Sequence, residues 1–399
     1  MTAILIFFGT YLVLAIGRLP WFRVDRTGGC IIGASLMIAF GVLDVKQAVA
    51  AVNFDTITLL FGMMIVVANL RLSGFFGAVA EWVVEHAHGP FVLLIAIVLV
   101  AGLFSAFFVN DTMCLVLTPL VLEITRRLRR DPLPYLLAVA MAANIGSVAT
   151  ITGNPQNMMI GSFSGIHYRT FAAALSPVAL AGLVLTVVMI AAVHHREFRR
   201  QEKVALERHP VRTNRALMWK SLTISAGMIA FFFAGWPVPK VALMAGALLL
   251  VSRSVKPEKI YREIDWPLLV LFIGLFIVVA GVETTALPDK LFGAAQRFHL
   301  ERPSVLSAFA ALLSNLVSNA PAVLVFKPFV TRLGDPGRAW LALAMSTTLA
   351  GNLTILGSVA NLIVVQKARQ EVKIGFWDYF KVGAPLTVLT IAAGVILLG

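Results

Sequence analysis

The stretch "SAFFVNDTMCLVLTPLV" (105–121) carries a polar triplet in the middle of an otherwise apolar run. A second stretch in the other half of the chain, "SNLVSNAPAVLVFKPFV" (314–330), repeats this pattern. The matched residues share an offset of 209 positions: Ser105 with Ser314, Asn110 with Asn319, and Pro119 with Pro328. Polar groups inside apolar segments need polar partners. The two stretches are therefore candidates for one shared polar site.

Two further segment pairs follow the same order in both halves. "MAANIGSVATITGNPQN" (141–157) matches "MSTTLAGNLTILGSVAN" (345–361) at an offset of 204, and "FDTITLLFGMMIVVA" (54–68) resembles "IDWPLLVLFIGLFIVVA" (264–280). Small changes of offset fall in connecting loops, where insertions are tolerated. The sequence therefore predicts an internal duplication. Its parts are a first repeat at 1–193, a basic linker at 194–217 and a second repeat at 218–399.

The composition indicates a membrane protein. Hydrophobic residues make up 59% of the 399 residues and charged residues only 13%, whereas soluble domains have about 25% charged residues. Apolar runs long enough to cross a bilayer recur along the whole chain. The net charge of +13 comes from short basic clusters between these runs, as expected of cytoplasmic loops. We therefore predict an integral membrane protein with no nucleic-acid partner.

The apolar runs predict an all-α polytopic fold with an inverted duplication. The long runs 90–123 and 303–331 contain polar residues or a proline midway, and we interpret each as a re-entrant hairpin. Each half then has five crossings, with residues 29–48 as one of them, so the second half is inverted. A cytoplasmic linker places "RRLRR" (126–130) inside and both termini outside. The amphipathic segments 74–88 and 288–302 are predicted to lie along the membrane surface.

Two more apolar segments, 134–165 and 337–365, are predicted to be broken helices. "TGNPQN" (152–157) combines glycine and proline, and "GNLTILGSVAN" (351–361) combines glycine with small polar residues. Unwound backbone is tolerated at membrane depth only inside protein or beside a water-filled cavity. It frees carbonyl groups for a cation and helix N-termini for an anion. Inverted repeats with such breaks are the plan of many secondary transporters.

The hairpin tips and helix breaks supply the candidate site residues. Those predicted to bind the solute are polar residues of the tips and breaks: Asn110, Thr112, Asn154, Asn157, Ser318, Asn319, Ser358 and Asn361. Those predicted to serve the coupling ion are Asp111, Thr150, Gly153, Thr354 and Gly357. An Na⁺ site is predicted near Asn110, Asp111 and Asn319. An acid at membrane depth is typical of a proton or cation coupling group, so Na⁺ or H⁺ is the expected coupling ion and no other cofactor is expected.

Simpler interpretations stay open for these residues. The asparagines could be interhelical hydrogen-bonding groups, Asp111 could cap the second hairpin helix, and Gly153 with Pro155 could form only a kink. A channel would need a continuous polar pore, whereas the polarity here is confined to four interruptions. The chain contains no P-loop, HExxH, GxSxG or dinucleotide motif. We therefore predict that it is not an enzyme.

Four segments resemble the signature regions of the ion transporter superfamily, which includes arsenite permeases, citrate carriers and divalent-anion sodium symporters. They are "VNDTMCLVLTPLV" (109–121), "GSVATITGNPQNMMIG" (146–161), "SNAPAVLVF" (318–326) and "GNLTILGSVANLIVV" (351–365). The resemblance implies a homodimer in the plasma membrane of a bacterium or archaeon, with elevator-type movement of the hairpins and broken helices. It also implies ion-coupled transport of a small anion or oxyanion.

The hairpin tips leave the subfamily open. The first tip, Asn110-Asp111-Thr112, is closer to the arsenite permeases, whereas "TGNPQN" (152–157) resembles the break of the divalent-anion symporters. Asp111 would repel a dianion unless it is protonated or neutralised by a cation. The alternative function on the same fold is arsenite or antimonite efflux, or cation/proton antiport.

Overall fold

The computed structural model describes residues 1–17, 22–87, 89–199, 213–251, 255–287, 289, 293 and 297–399. Within these residues the chain forms α-helices and two short 3₁₀ helices, with no β-strand. The prediction of an all-α fold is confirmed.

The first half contains eleven of the described helices. They are α1 (Thr2–Ile16), α2 (Arg26–Ala39), α3 (Val45–Ala51), α4 (Phe54–Leu72), α5 (Phe75–His86), α6 (Pro90–Phe107), α7 (Asn110–Arg127), α8 (Pro132–Ser147), α9 (Pro155–Ser164), α10 (Tyr168–Val193) and α11 (His195–Phe198).

The second half contains nine of the described helices. They are α12 (Arg215–Phe233), α13 (Val238–Leu250), α14 (Pro257–Tyr261), α15 (Trp266–Glu283), α16 (Pro303–Val317), α17 (Asn319–Val330), α18 (Pro336–Ala350), α19 (Val359–Ala368) and α20 (Phe376–Leu398).

Six of the described helices are long and apolar enough to cross a membrane: α4, α6, α10, α12, α15 and α20. Seven more are apolar but have only 10–17 residues, and most of these belong to the interrupted elements. Spanning a bilayer core of about 30 Å takes about 20 helical residues. The chain is therefore a polytopic integral membrane protein.

Both long apolar runs and both predicted broken helices are interrupted where the sequence is polar. Phe108 and Val109 separate α6 from α7, and Ser318 alone separates α16 from α17; the two helices of each pair contact each other. A 3₁₀ turn follows α8 at Ile151–Gly153, and another follows α18 at Ile355–Gly357. The two halves therefore contain matching interruptions. Their inversion across the membrane, and the position of the linker on the cytoplasmic side, stay predictions.

The core lies around α8 and α18, which contact each other. Every residue of α8 from Pro134 to Ser147 is buried. A helix that is apolar on all sides is expected in the interior. A Cβ built on Gly146 would lie 2.1 Å from the backbone oxygen of Gly102 in α6, so the contact between these two helices depends on glycine.

The two halves also exchange packing partners. Helix α2 of the first half packs on α15 of the second, and α13 of the second packs on α4 of the first. A Cβ on Gly274 would lie 2.8 Å from the backbone oxygen of Cys30, and one on Gly62 would lie 2.6 Å from the backbone oxygen of Ala242. These close contacts join α1–α4 and α12–α15 into a group of helices, which we call the framework group. Helices α6–α10 and α16–α20 form the second group, which we call the hairpin group.

The apolar segment 29–48 is not a single span. Helix α2 ends at Ala39, and Gly41 follows with φ 68°. Asp44 then begins α3: its carboxylate accepts from the Gln47 backbone N–H, and the Gln47 side chain accepts from the Asp44 N–H. This reciprocal capping box is a local signal for a helix start. Residues 29–48 were predicted to be one crossing because they are continuously apolar, but the capping box starts a separate helix within them.

The linker and one surface helix are only partly described. Residues 200–212 of the linker lie outside the described residues, as do 288, 290–292 and 294–296 of the predicted surface helix at 288–302, whereas α5 covers most of 74–88. The linker begins with α11, where Glu197 lies 3.9 Å from Arg130, with side-chain exposures of 6% and 8%. Burial raises the pKa of Glu197, and the positive charge of Arg130 opposes this rise.

Candidate functional site

A cavity of about 70 Å³ lies where the hairpin tips meet the helix breaks. Its polar and charged lining residues are Arg26, Asn110, Asp111, Gln156, Ser318, Asn319 and Ser358. The first turns of four helices, α7, α9, α17 and α19, contribute to this wall. Helix N-termini present unpaired N–H groups and partial positive charge. The cavity can therefore attract an anion.

The two hairpin tips reach the cavity through different backbone conformations. In the first tip, Phe108 is extended (φ −124°, ψ 140°) and leads into Asn110 through Val109. In the second tip, Ser318 makes the whole connection at φ 82°, ψ 160°, a region that is costly for any residue except glycine. The second tip is therefore shorter and more strained than the first.

Each helix break is held open by one asparagine. The Asn157 Nδ2 donates to the carbonyls of Ser147 (3.0 Å) and Thr150 (2.9 Å). The Asn361 Nδ2 donates to the carbonyls of Gly351 (2.7 Å) and Thr354 (3.1 Å). The asparagine and the two carbonyl residues of the first break match those of the second break at the same offset of 204. These bonds satisfy carbonyls that the broken helix leaves without helical partners.

The residues at the start of α9 and α19 act as N-caps. The Asn154 Oδ1 accepts from the Asn157 backbone N–H at 2.8 Å, and the Ser358 Oγ accepts from the Ala360 N–H at 3.2 Å. The Ser358 Oγ also donates to the Asn144 Oδ1 at 3.1 Å. Capping fixes where each helix begins, and so it fixes the two helix ends that face the cavity.

Asn144 of α8 links the first hairpin tip to the second helix break. Its Oδ1 accepts from the Asn110 Nδ2 at 3.0 Å. Its Nδ2 donates to the Oδ1 atoms of Asn352 (2.8 Å) and Asn361 (3.0 Å). Asn144 is fully buried. Asn144 was not among the predicted site residues, although it is a lone asparagine in the apolar run "LAVAMAANIG" (137–146).

Asn319 makes the corresponding link between the second hairpin tip and the first helix break. In the amide orientation that satisfies both of its ends, its Nδ2 donates to the carbonyls of Thr347 and Gly357, both at 3.2 Å. Its Oδ1 then accepts from the Gln156 Nε2, also at 3.2 Å. The second tip is therefore bonded directly to the break of the opposite half, and the first tip is linked to the second break through Asn144.

Asp111 lies in the first turn of α7, half-buried in the cavity wall. Ala360, in the first turn of α19, lies close to its carboxylate. Neighbouring Asn110 is buried, and its Oδ1 has no hydrogen-bond partner among the described residues. A carboxylate and an unpartnered amide oxygen are therefore adjacent at this tip.

Only part of the predicted site lines the cavity. Five predicted residues do so: Asn110, Asp111, Ser318, Asn319 and Ser358. The other eight are near it but do not form its wall: Thr112, Thr150, Gly153, Asn154, Asn157, Thr354, Gly357 and Asn361. The structure thus brings together the three residues of the predicted Na⁺ site, Asn110, Asp111 and Asn319, in one wall.

The remaining predicted residues have structural contacts that explain their absence from the wall. Asn157 and Asn361 are used by the bonds across the breaks, and Asn154 by the cap. Gly153 packs so closely that a Cβ built on it would lie 2.2 Å from the Ser147 carbonyl oxygen. A Cβ built on Gly357 would lie 2.8 Å from the Asn315 Oδ1. Thr150 donates to the Ala106 carbonyl, and Thr354 to Asn315. These contacts shape the breaks, and the prediction that these residues contact the solute or the ion stays a prediction.

Arg26 and Gln156 are wall residues that the sequence analysis missed. Arg26 is the first residue of α2, in the framework group. The sequence placed it in a basic loop cluster, and no pattern indicated that this loop faces the hairpins. Among the described residues, no group of three or more His, Cys, Asp or Glu side chains could hold a metal ion.

Comparisons with known proteins agree with this architecture. The profile of the citrate transporter family matches residues 11–337. The silicon efflux transporter LSI3 of Oryza sativa subsp. japonica is 30% identical, over 98% of this chain and 96% of that protein. A transporter named arsB from Dictyostelium discoideum is 24% identical, over 93% and 87%. The crystal structure of the YdaH transporter of Alcanivorax borkumensis has a TM-score of 0.63 at 16% identity, over 99% and 95%, and supports the fold.

The family profile covers most of the chain, including the first hairpin, the first break and the second hairpin. The family and these relatives are transporters, which agrees with the prediction that the chain is not an enzyme. The chain therefore belongs to the citrate transporter family, within the ion transporter superfamily that its motifs resemble.

Proposed function

We propose that the protein is an ion-coupled secondary active transporter that moves a small anion or oxyanion across the membrane. One observation carries this proposal: the first turns of four helices, from two hairpins and two breaks, converge on one cavity. Such helix ends stabilise negative charge. The hydroxyl of Ser318 adds a donor at the same wall, whereas the Nδ2 of Asn319 and the Oγ of Ser358 already donate to other groups of the protein.

Asp111 would carry the coupling ion. The carboxylate is opposed by no cation within 4.0 Å in the described part of the chain, and a partly buried unpaired acid is costly. Proton binding would neutralise it. An Na⁺ ion would fit equally well, because it could also be coordinated by the Oδ1 of Asn110, which has no hydrogen-bond partner in the part of the chain that the structure describes. We expect no resident cofactor apart from Na⁺ or H⁺.

The cavity size favours a compact cargo. Its volume is about 70 Å³, and a water molecule needs about 10–15 Å³ by this measure. The space therefore suits roughly five waters, or a solute of similar size. This supports an inorganic oxyanion over a tricarboxylate. It also favours, as a second candidate, efflux of a small hydroxide such as arsenite or antimonite, in line with relatives named arsB and silicon efflux transporter. Cation/proton antiport stays an alternative on the same fold.

Transport would follow an elevator-type movement. The hairpin group holds both tips and both breaks, and the framework group is joined within itself by glycine contacts. Movement of the hairpin group against the framework group would expose the cavity to each side of the membrane in turn, as in transporters with sites between repeats. We further propose a homodimer in the plasma membrane of a bacterium or archaeon, with both termini external and the linker cytoplasmic.

Uptake into proteoliposomes tests this function. Sulfate, phosphate, citrate and arsenite are offered under an imposed Na⁺ gradient, an imposed H⁺ gradient and no gradient. We expect at least one of these solutes to accumulate, and only when one of the gradients is present. Accumulation of none, or equal flux with and without gradients, would contradict the proposal.

A further inference from the structure

One wall of the cavity carries a cation that the proposed function does not use. Arg26 and Asp111 are the two charged residues that line the cavity. They do not form an ion pair, and among the described residues no carboxylate lies within 4.0 Å of the Arg26 side chain. The cavity therefore carries one positive and one negative side chain that are not paired with each other.

The position of Arg26 is fixed by its surroundings. Its Nε donates to the Leu14 carbonyl at 3.1 Å, which joins α2 to the end of α1. Thr27 next to it donates to the Pro267 carbonyl at 3.3 Å, which joins α2 to the start of α15. The terminal nitrogens of Arg26 make no hydrogen bond to the described residues. A guanidinium anchored by Nε leaves its outer nitrogens for a ligand.

The acidic N-cap residues of α2 and α15 are occupied elsewhere. The Asp25 carboxylate accepts from the Gly28 N–H at 2.8 Å, and the Asp265 carboxylate accepts from the Leu268 N–H at 3.0 Å. Both are exposed N-cap residues. The Arg26 guanidinium is therefore not paired with either of these carboxylates.

We infer that Arg26 is the residue that recognises the negative charge of the cargo. This inference rests on the proposed function and assigns the cargo to the class of oxyanions with two adjacent oxygens, such as sulfate, phosphate or a carboxylate. A guanidinium binds such a pair of oxygens through two parallel hydrogen bonds. Asp111 serves the coupling ion, so the two charges of the cavity have separate roles.

The inference also gives the cargo a place between the two groups of helices. Arg26 belongs to α2 in the framework group, whereas Asn319 and Ser358 belong to the hairpin group. An oxyanion bound by Arg26 on one side and by the helix ends on the other contacts both groups. Release from Arg26 then accompanies any movement of the hairpin group with its cargo.

The test compares Arg26→Gln and Arg26→Lys with the wild type, and Arg23→Gln, an exposed arginine of the same segment, is the matched control. Sulfate, phosphate and citrate are the charged probes, and arsenous acid is the probe that is uncharged at neutral pH. For the best anion we expect Arg26→Gln to raise KM about tenfold or more, with little change in kcat and with no equal effect on arsenous acid. Arg26→Lys should raise KM less, because an ammonium group lacks the planar fork. Arg23→Gln should match the wild type.

Two results would overturn the inference while leaving transport intact. The first is anion uptake with the same KM in Arg26→Gln and the wild type. The second is a wild type that carries only the uncharged probe. Failure of the proposed function is different, because the wild type would then accumulate none of the probes. If Arg26→Gln does not fold, Arg26→Lys decides: a wild-type KM for the anion contradicts recognition by the guanidinium fork, and a KM raised severalfold supports it.

Discussion

The two hairpin and break pairs have the same backbone plan but different chemistry. In both breaks an asparagine, Asn157 or Asn361, donates to two carbonyls at matched positions. At the tips the halves diverge: the first carries Asp111, and the second carries Ser318 with φ 82° and no acid. Features kept in both halves therefore hold the breaks open. Features found in one half are the ones to which we assign ion coupling and cargo binding.

The largest effect is expected at the acidic tip, where the halves differ most. Asp111→Asn removes the carboxylate but keeps the side chain's size, so we expect gradient-driven uptake to fall roughly a hundredfold and the gradient dependence to disappear. Asp55→Asn, at an exposed acid in the first turn of α4, is the control and should behave as the wild type. Proteoliposome flux with and without the gradient is the measurement. Retained coupling in Asp111→Asn would refute its role.

The next effect concerns the tightly packed glycines of the breaks. In Gly153→Ala the new Cβ meets the Ser147 carbonyl oxygen at 2.2 Å, whereas in Gly357→Ala it meets the Asn315 side chain at 2.8 Å and the Gly351 carbonyl oxygen at 2.9 Å. The backbone contact is closer at Gly153, so we expect destabilisation of about 3 kcal/mol for Gly153→Ala and about 2 kcal/mol for Gly357→Ala. Thermal unfolding in detergent measures the difference. Equal losses would show that the two breaks are packed alike.

The two asparagines across the breaks should both stabilise the protein. Asn157→Ala and Asn361→Ala each remove a side-chain donor from two carbonyls. We expect a destabilisation of about 2 kcal/mol for Asn157→Ala and slightly more for Asn361→Ala, which also removes the acceptor of an Asn144 bond. Thermal unfolding of the two variants side by side measures this. A loss confined to one variant would remove the claim that the halves share a structural device.

The smallest effect concerns the backbone at the two tips. Ser318→Gly relieves a positive φ and should stabilise the protein by about 1 kcal/mol. Val109→Gly is the matched change at the first tip, where φ is −45°, and it should destabilise because glycine only adds freedom to the unfolded chain. Unfolding midpoints of both variants decide this. Stabilisation at both tips would contradict the difference between them.

Much of this arrangement could be predicted from the sequence. Polar residues and helix breakers in apolar runs located the hairpin tips at Asn110 and Asn319 and both helix breaks, because interruptions at membrane depth require a local chemical cause. The capping box at Asp44 is an equally local signal, and apolar continuity hid it.

The composition of the cavity wall could not be predicted in the same way. Arg26 is brought to the cavity by the packing of α2 on α15, a contact between elements more than 200 residues apart. The same holds for Asn144, whose four partners come from three other elements or loops. Polarity showed that Asn157 and Asn361 needed partners. It did not show whether those partners were solute or the chain's own carbonyls.

The most direct test of alternating access uses one cysteine at the second tip. Both native cysteines, Cys30 and Cys114, are buried, and Ala320 lines the cavity, so Ala320→Cys reports on this site. Ala234→Cys, at the exposed end of α12, is the one-sided control. A membrane-impermeant thiol reagent is added to either face of sealed vesicles. We predict that it modifies Ala320→Cys from both faces, more slowly with cargo present. Modification from one face only, at a rate that cargo does not change, would contradict the account.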